Sequence, residues 1–388
     1  MTRLDVALIG AGRFAGFISA AAQNLPELAI RVVADPDRKR AQALADSIGA
    51  DATTHWREAV STVDAVVIAT PPSTHAQIAR TALLAGRHVF CENPLAMTSQ
   101  EAWELAELAK DRDRVLVVDH VLRYNPLLRA LLSLQGELFG PLQRFCFEND
   151  ASDEDLDPGH WFWDEAASGG IFVEHGVHFF DAAAMLIEGP ATAVKATAAR
   201  RTPAGPVDLV SATVLHGPDV LATHTHGFTH AHRCERQLMR LDYGTIEVRV
   251  DGWIPVAATL DGWTDDAGAA IVEGLPERVS ELLGDLPGAS ILSTVRRNAG
   301  ETADARGRGK PLHIPHSVHA HVTLGGPAAK QDVYAASVRA ALADLVRCSE
   351  TGTEPVSNGR TAAAAVTVAE AAMRAAADGH AIDLSGAR

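Results

Sequence analysis

The chain has 388 residues, of which 47% are hydrophobic and 21% charged, a composition typical of globular proteins with a buried core. A formal net charge of -15 disfavours nucleic acids and anionic membranes as partners and leaves small molecules as the expected ligands. Two domains are expected for this length, and four scattered cysteines predict reduced thiols in a cytoplasmic protein. The first residues run straight into a strand pattern and no apolar stretch reaches the roughly 20 residues that cross a bilayer, so neither a leader nor a membrane span is expected.

The first third of the chain alternates short apolar runs with helical stretches. Runs such as VALIG, IRVVAD and AVVIAT are interspersed with PDRKRAQALADSIGA and THAQIARTALLAG. This alternation predicts an α/β domain over residues 1–122, with a doubly wound sheet of parallel strands joined by crossover helices.

Residues 123–388 show a different pattern, with aromatic and β-branched runs such as LQRFCFEND and GTIEVRVDGW. These runs predict an α+β domain with a mixed, largely antiparallel sheet. Residues 258–309 show no clear strands, so they are expected to form an insertion or lid rather than core. Two alanine-rich amphipathic helices are expected between Val333 and Ala376.

A glycine motif of the form GxGxxA follows the first predicted strand. Its glycines permit a tight turn and let a pyrophosphate approach the N-terminus of the next helix. The motif is expected to contact a dinucleotide through Gly10, Gly12, Arg13, Phe14 and Ala15. The second strand ends in Asp35, where a carboxylate can bind the adenosine ribose, which favours NAD over NADP. Arg38 also lies within reach of the cofactor and weakens that preference, and a helix-capping role for Asp35 stays open.

Several longer stretches carry a family resemblance. They are AVVIATPPSTHAQIARTALLAGRHVFCENPLAMTSQEA, VLRYNPLLR, HWFWDEAASGGIFVEHGVHFFD and EPVSNGRTAAAAVTVAEAA. Together they resemble the Gfo/Idh/MocA family of NAD(P)-dependent sugar and cyclitol oxidoreductases. The resemblance implies a Rossmann domain, a mixed-sheet domain that covers the nicotinamide, chemistry at a CH–OH group, and a homodimer or homotetramer.

The resemblance also implies which residues line the nicotinamide side of the cofactor: Thr70, Pro71, His75 and Glu92. Most family members have a lysine where this chain has Asn93. Asn93 can donate a hydrogen bond, but it neither carries a charge nor exchanges a proton near neutrality. It is expected to orient a substrate hydroxyl or the carboxamide, with a turn-forming role before Pro94 as the alternative.

A second motif places an acid, a histidine and an acid on one helix face at Glu174, His178 and Asp181. His178 is expected to remove a hydroxyl proton while Glu174 orients its ring, and Asp181 is expected at the substrate. Helix packing or a surface bridge is the alternative. Further substrate contacts are expected at Tyr124, Asn125, Trp161, Trp163 and His175. For these residues a hinge or core-filling role stays open.

Histidines are dense around this motif, and His224 and His226 would share one face of a strand. A metal ion, sugar recognition and a polar surface all remain open for them, and no metal ligand is assigned. Three functions follow from the whole sequence. The first is an NAD-dependent dehydrogenase of a sugar, cyclitol or sugar-like metabolite. The others are a redox-neutral lyase, epimerase or glycosidase with tightly bound NAD, and a dinucleotide sensor without turnover.

Overall fold

The computed structural model describes residues 3–283, 289–299, 304–307, 310–325 and 329–386. The helices in these ranges are α1 (Arg13–Ala22), α2 (Arg38–Ile48), α3 (Trp56–Ser61), α4 (His75–Leu84), α5 (Ser99–Asp111), α6 (Pro126–Leu134), α7 (Glu165–Ser168), α8 (Val177–Leu186), α9 (Asp266–Glu273), α10 (Leu275–Leu283), α11 (Ala329–Thr351) and α12 (Gly359–Asp378). The strands are β1 (Leu4–Ile9), β2 (Leu28–Ala34), β3 (Asp51–Thr53), β4 (Ala65–Ile68), β5 (His88–Cys91), β6 (Leu116–Val118), β7 (Arg144–Ser152), β8 (Ala191–Ala199), β9 (Leu209–His216), β10 (Val220–His230), β11 (Arg236–Asp242), β12 (Ile246–Asp251), β13 (Ala257–Thr264), β14 (Ala289–Arg296), β15 (Asp304–Gly307), β16 (Lys310–His313), β17 (His316–Leu324) and β18 (Ile382–Asp383). None of the described helices combines the length and the apolar character needed to cross a membrane.

The first six strands form a parallel sheet in the order β3-β2-β1-β4-β5-β6. This is the order of a doubly wound sheet, so the predicted Rossmann architecture is confirmed. All four residues of β4 are buried because helices cover both faces of the sheet. The strand order reverses between β1 and β4, and ligands of such sheets bind at the carboxyl ends of the strands at this point.

The second sheet has ten strands in the order β14-β17-β13-β12-β11-β7-β10-β9-β8-β18. Only the β7 and β10 pair is parallel among its described neighbours, so the predicted mixed, largely antiparallel sheet is confirmed. One face of the sheet packs against α8, where the rings of Phe147 and Phe179 are stacked with centroids 3.5 Å apart. This packing places the start of α8 above β7 and β10.

The expectation of an insertion or lid at residues 258–309 needs correction. Strand β13 begins at Ala257 and lies inside the ten-stranded sheet between β12 and β17, while β14 forms its edge. The sequence pattern concealed β13 because only Ala258, Leu260 and Thr264 of its eight residues are buried. Residues 284–288, 300–303 and 308–309 of this segment lie outside the described part.

The two C-terminal helices cross back to the first sheet. Trp103 on α5 donates to the hydroxyl of Thr367 on α12 at 3.1 Å, and the rings of Phe17 on α1 and Tyr334 on α11 lie 4.6 Å apart. Both predicted helices are therefore present and contact the N-terminal sheet domain. The domain boundary expected after Leu122 stays a prediction.

Candidate active site

The glycine turn after β1 has a shape that requires its residues. Gly10 has a φ of 103°, and a Cβ atom there would lie 2.2 Å from the carbonyl oxygen of Ala69. Gly12 precedes α1, and a Cβ on it would meet nothing within 4 Å. The turn is therefore tight on the β4 side and open in front of the helix N-terminus, as a pyrophosphate requires.

Asp35, at the end of β2, holds this turn in place. Its carboxylate accepts hydrogen bonds from the backbone N–H groups of Ala11 and Asp37, both at 2.8 Å. Asp37 caps α2, so the capping role left open for Asp35 belongs to its neighbour. Arg13 and Arg38 are exposed near this edge, where they are free to reach a bound ligand.

The loop after β4 contains Thr70, Pro71 and His75. The ring nitrogens of His75 lie 2.7 Å from the carbonyl oxygens of Thr70 and Pro94, and the side chain is 1% exposed. Burial lowers the pKa of His75, although both carbonyl contacts act in the opposite direction. The ring connects the β4 and β5 loops through these two carbonyl contacts, and its expected place beside the nicotinamide stays a prediction.

Glu92 follows β5 and forms a buried acid pair with Asp119, which follows β6. Burial first, and then the neighbouring Asp119, raise the pKa of Glu92 well above its usual range. Burial also raises the pKa of Asp119 to about 6. Each carboxyl group therefore disfavours the ionisation of the other. The sequence reading missed Asp119.

Asn93 and His178 meet directly, although they are far apart in sequence. Asn93 Nδ2 lies 2.8 Å from His178 Nε2, while the buried Asn93 Oδ1 has no hydrogen-bond partner among the described residues. An amide nitrogen only donates, so His178 Nε2 accepts and the ring is neutral. Burial, followed by the neighbouring His120 and His175, lowers the pKa of His178 well below its usual value. The site therefore presents a neutral imidazole held by an amide.

Glu174 lies one turn before His178, in a π-helical turn at Phe172–Gly176 that leads into α8. Burial raises the pKa of its carboxyl group to about 7. Within the described chain, no hydrogen bond joins Glu174 to His178. The side chain that contacts His178 is Asn93, and the expected orientation of the ring by Glu174 stays a prediction.

Three residues expected to contact substrate are instead buried in the framework. Asp181 is fully buried and accepts from Arg123 Nε at 2.9 and 2.7 Å. The Tyr124 hydroxyl donates a hydrogen bond to Asp344 Oδ2, and Asn125 Oδ1 accepts from two backbone N–H groups at the start of α6. All three stabilise the join between the two sheets, where no solvent reaches them.

The histidines of β10 are buried beneath α8. His224 and His226 lie on one face with stacked rings 6.4 Å apart, as the strand period predicts, and both are 0% exposed. His226 Nδ1 lies 3.1 Å from Nδ1 of His175. The described residues contain no group of three or more side chains arranged to hold a metal ion.

A cavity of about 430 Å³ is lined by His175 and Trp253, whose rings neighbour that of His178, although neither Asn93 nor His178 belongs to its lining. Its walls also include Phe228, and the expected substrate contact of His175 stays a prediction. The Trp253 ring lies 5.4 Å from that of His178 and 5.6 Å from that of Tyr334 on α11. Tyr334 in turn contacts Phe14, whose ring is 5.9 Å away beside the glycine turn. Trp253 and Tyr334 carry no local sequence signal, since they reach the site only through packing.

The two tryptophans expected as an aromatic wall lie elsewhere. Trp161 is 40% exposed, and Trp163 donates to the carbonyl of Leu156 and lines a separate cavity of about 380 Å³. The ring wall of the candidate site is therefore provided by Trp253.

Comparisons with known proteins agree with this organisation. Residues 4–120 match the model of the oxidoreductase family with an NAD-binding Rossmann fold, and residues 136–249 match the GFO/IDH/MocA C-terminal domain. The solved structure of levoglucosan dehydrogenase with NADH and levoglucosan superposes with a TM-score of 0.76 and 20% identity, covering 98% of this chain and 99% of that one. This likeness shows a shared fold.

Curated relatives match over part of their length. The rhizopine catabolism protein MocA of Rhizobium meliloti is 30% identical over 210 residues, which are 53% of this chain and 64% of that protein. Inositol 2-dehydrogenase of the same species is 29% identical over 50% of this chain and 57% of its own. Levoglucosan dehydrogenase of Pseudarthrobacter phenanthrenivorans is 30% identical over 55% and 59%. The matches thus span less than two thirds of each relative. Because the two domain models together match more than half of the chain, it belongs to the GFO/IDH/MocA family of oxidoreductases with an NAD-binding Rossmann domain.

Proposed function

We propose that this chain is an NAD-dependent oxidoreductase that interconverts a secondary alcohol and a ketone on a sugar, cyclitol or sugar-like metabolite. The observation that carries the proposal is the neutral His178 imidazole, held by Asn93 at the end of β5 and beside a cavity of about 430 Å³. A cavity of this size is in the range of small-molecule sites. The relatives named for inositol and levoglucosan act on ligands of this class.

The residues at the carboxyl end of the first sheet fit a dinucleotide. The space in front of Gly12 and the tight turn at Gly10 suit a pyrophosphate, and the Asp35 carboxylate suits ribose hydroxyls. Thr70, Pro71 and Glu92 follow the neighbouring strands at the same edge of the sheet. When bound there, NAD supplies a hydride acceptor.

His178 is the proton acceptor in this proposal. Its low pKa keeps the imidazole neutral at pH 7, so the ring is ready to take a hydroxyl proton as the alcohol is oxidised. Asn93 supports both protonation states, because its amide nitrogen donates to neutral Nε2 and its unpartnered Oδ1 can accept from the protonated ring after the amide turns over. Glu174 provides a second group near neutrality one turn away.

The substrate ring binds in the cavity against Trp253 and His175. An aromatic face packs well on the apolar faces of a hydroxylated ring, while the imidazole of His175 offers a polar edge. Asp181, Tyr124 and Asn125 are assigned to the framework.

Replacement of His178 by glutamine tests the assignment. We expect kcat for NADH formation to fall by about 10²- to 10⁴-fold, since that is the usual contribution of a general base, while the dissociation constant for NAD changes little. His55→Gln is the matched control, because His55 is exposed on the first domain. Near-ultraviolet absorbance of NADH and product analysis over a panel of cyclitols, sugars and glycosides provide the readout.

The outcomes separate the competing functions. A His178→Gln variant that keeps its rate would remove His178 from the chemistry. Product without net NADH would identify a redox-neutral lyase, epimerase or glycosidase instead. If the wild-type chain binds NAD but turns over nothing in the panel, the dehydrogenase proposal fails and a sensor becomes the better description.

A further inference from the structure

The cavity beside His178 has an acidic end that the proton chemistry does not use. Glu154 and Asp155, which follow β7, and Glu235, which precedes β11, all line it. The positive group opposite them is Lys330, in the first turn of α11. Three carboxylates against one ammonium leave the cavity with an excess of negative charge at neutral pH.

Two of these carboxylates are held in place by the backbone. Glu235 Oε1 accepts from the N–H of Ser152 at 2.8 Å, and Glu154 Oε1 accepts from the N–H of His232 at 2.9 Å. Glu154 therefore keeps its second oxygen for another partner, whereas Glu235 Oε2 lies 3.7 Å from Nδ1 of His232, which also lines the cavity. Asp155 is exposed, and no hydrogen bond or ion pair is present on its carboxylate within the described part of the chain. Backbone hydrogen bonds thus hold Glu154 and Glu235 in place, while Asp155 is exposed to solvent.

An independent feature of the same cavity indicates a ligand that donates hydrogen bonds. Asn149 lines the cavity and is only 1% exposed. Its Nδ2 donates to the carbonyl of Gly227 at 3.3 Å, whereas its buried Oδ1 has no partner among the described residues. A buried acceptor without a partner costs about 1–3 kcal/mol, which a ligand N–H or O–H group can recover.

We propose that this cavity selects a sugar or cyclitol that carries a protonated amino group. The inference rests on the dehydrogenase function proposed above and names its substrate class. An ammonium group has three donors and a positive charge, so it satisfies the carboxylates of Glu154, Asp155 and Glu235. A neutral hydroxyl supplies no charge, and a ligand carboxylate is repelled. The ring of such a ligand lies toward Trp253.

The test compares ligands that differ in charge, and two variants of which one removes a negative charge from the cavity wall and the other a positive charge. Glucose, glucuronate and aminodeoxyglucoses with the amine at different ring carbons are titrated into the full chain saturated with NAD, by calorimetry and by initial rates. We expect at least one aminodeoxyglucose to bind about fivefold or more tightly than glucose, and glucuronate to bind most weakly. Asp155→Asn should weaken amine binding about two- to fivefold, the range for solvent-accessible ion pairs.

Lys330→Gln should change amine affinity in the opposite direction, by a similar factor, because it removes the one opposing charge from the cavity wall. Asp111→Asn is the control, since Asp111 is exposed on α5 of the first domain. A purely structural role for Asp155 and Lys330 would not give effects of opposite sign. Both changes in amine affinity should also become smaller at high salt, because salt screens charges at exposed positions.

The results distinguish this inference from the function on which it rests. Equal affinity for glucose and every amine, failure of all these ligands to bind, or changes of the same sign in the two variants would overturn the amine preference. NADH formation from a neutral sugar without any amine preference would leave the dehydrogenase proposal standing. Amine binding without hydride transfer from any bound ligand would refute the dehydrogenase proposal alone.

Discussion

The side chain of Glu174 is half-buried, and the partial loss of its hydration raises the pKa of its carboxyl group. Burial raises its pKa from 4.5 to about 7, and no side chain in the described part of the chain offers it a hydrogen bond. Glu174→Gln keeps the size of the side chain and removes the ionisation. Each pKa unit is worth about 1.4 kcal/mol, so ionised Glu174 costs the folded state at most about 3.5 kcal/mol.

The sign of this effect follows from proton binding. The folded state holds the Glu174 proton more tightly than the unfolded state, so the wild type loses stability as the pH rises from about 4.5 to about 7. The glutamine variant lacks this loss. Its free energy of unfolding should therefore rise relative to the wild type by up to about 3 kcal/mol between pH 4.5 and pH 8. Urea unfolding at several pH values measures the difference.

The same variant reports on catalysis. If Glu174 assists proton transfer, the kcat/KM profile should show an ionisation near pH 7 that the glutamine variant lacks. Glu188→Gln serves as the control, because Glu188 is exposed just beyond α8. Identical pH dependence of unfolding in wild type and Glu174→Gln would refute the burial argument. An unchanged kcat/KM profile would confine Glu174 to a structural role.

Two further changes test the cofactor turn and the asparagine. Asn93→Lys keeps a donor for His178 and adds a positive charge beside the carboxyl groups of Glu92 and Asp119. We therefore expect kcat for NADH formation to rise about tenfold. A lower rate would mean that the pocket requires the amide. Gly10→Ala places a Cβ 2.2 Å from a carbonyl oxygen at a φ of 103°, so it should destabilise the fold by about 1–3 kcal/mol and weaken NAD binding. Gly16→Ala, in the open on α1, should be neutral or slightly stabilising in the same urea and NAD titrations.

Features that depend on near neighbours in the chain could be predicted well. Gly10 and Gly12 mark a turn whose backbone shape is local, and Asp35 lies at the strand end that such turns require. Alternation of strands and helices likewise predicts a doubly wound sheet, because each element must bury one face. Strand β13 was missed because only three of its eight residues are buried and two of them, Ala258 and Thr264, give little hydrophobic contrast.

Side-chain partners across the fold could not be predicted in this way. Helix spacing placed Asp181 near His178, but a helix pattern does not reveal that Arg123 lies against Asp181 and buries it. The same limit applies to Trp253, which reaches His178 through the packing of the second sheet.

The sequence by itself therefore determined the cofactor turn and the two sheet types, because short-range backbone preferences and hydrophobic periods encode them. His178 as proton acceptor follows from the family resemblance and stays a prediction. Tertiary structure alone decided that Asn93 holds His178, that Glu174 titrates near 7 and that the cavity has an acidic end. Hydrogen-bond partners, burial and local charge arise between elements distant in the chain, and they exist only once both sheets have packed together.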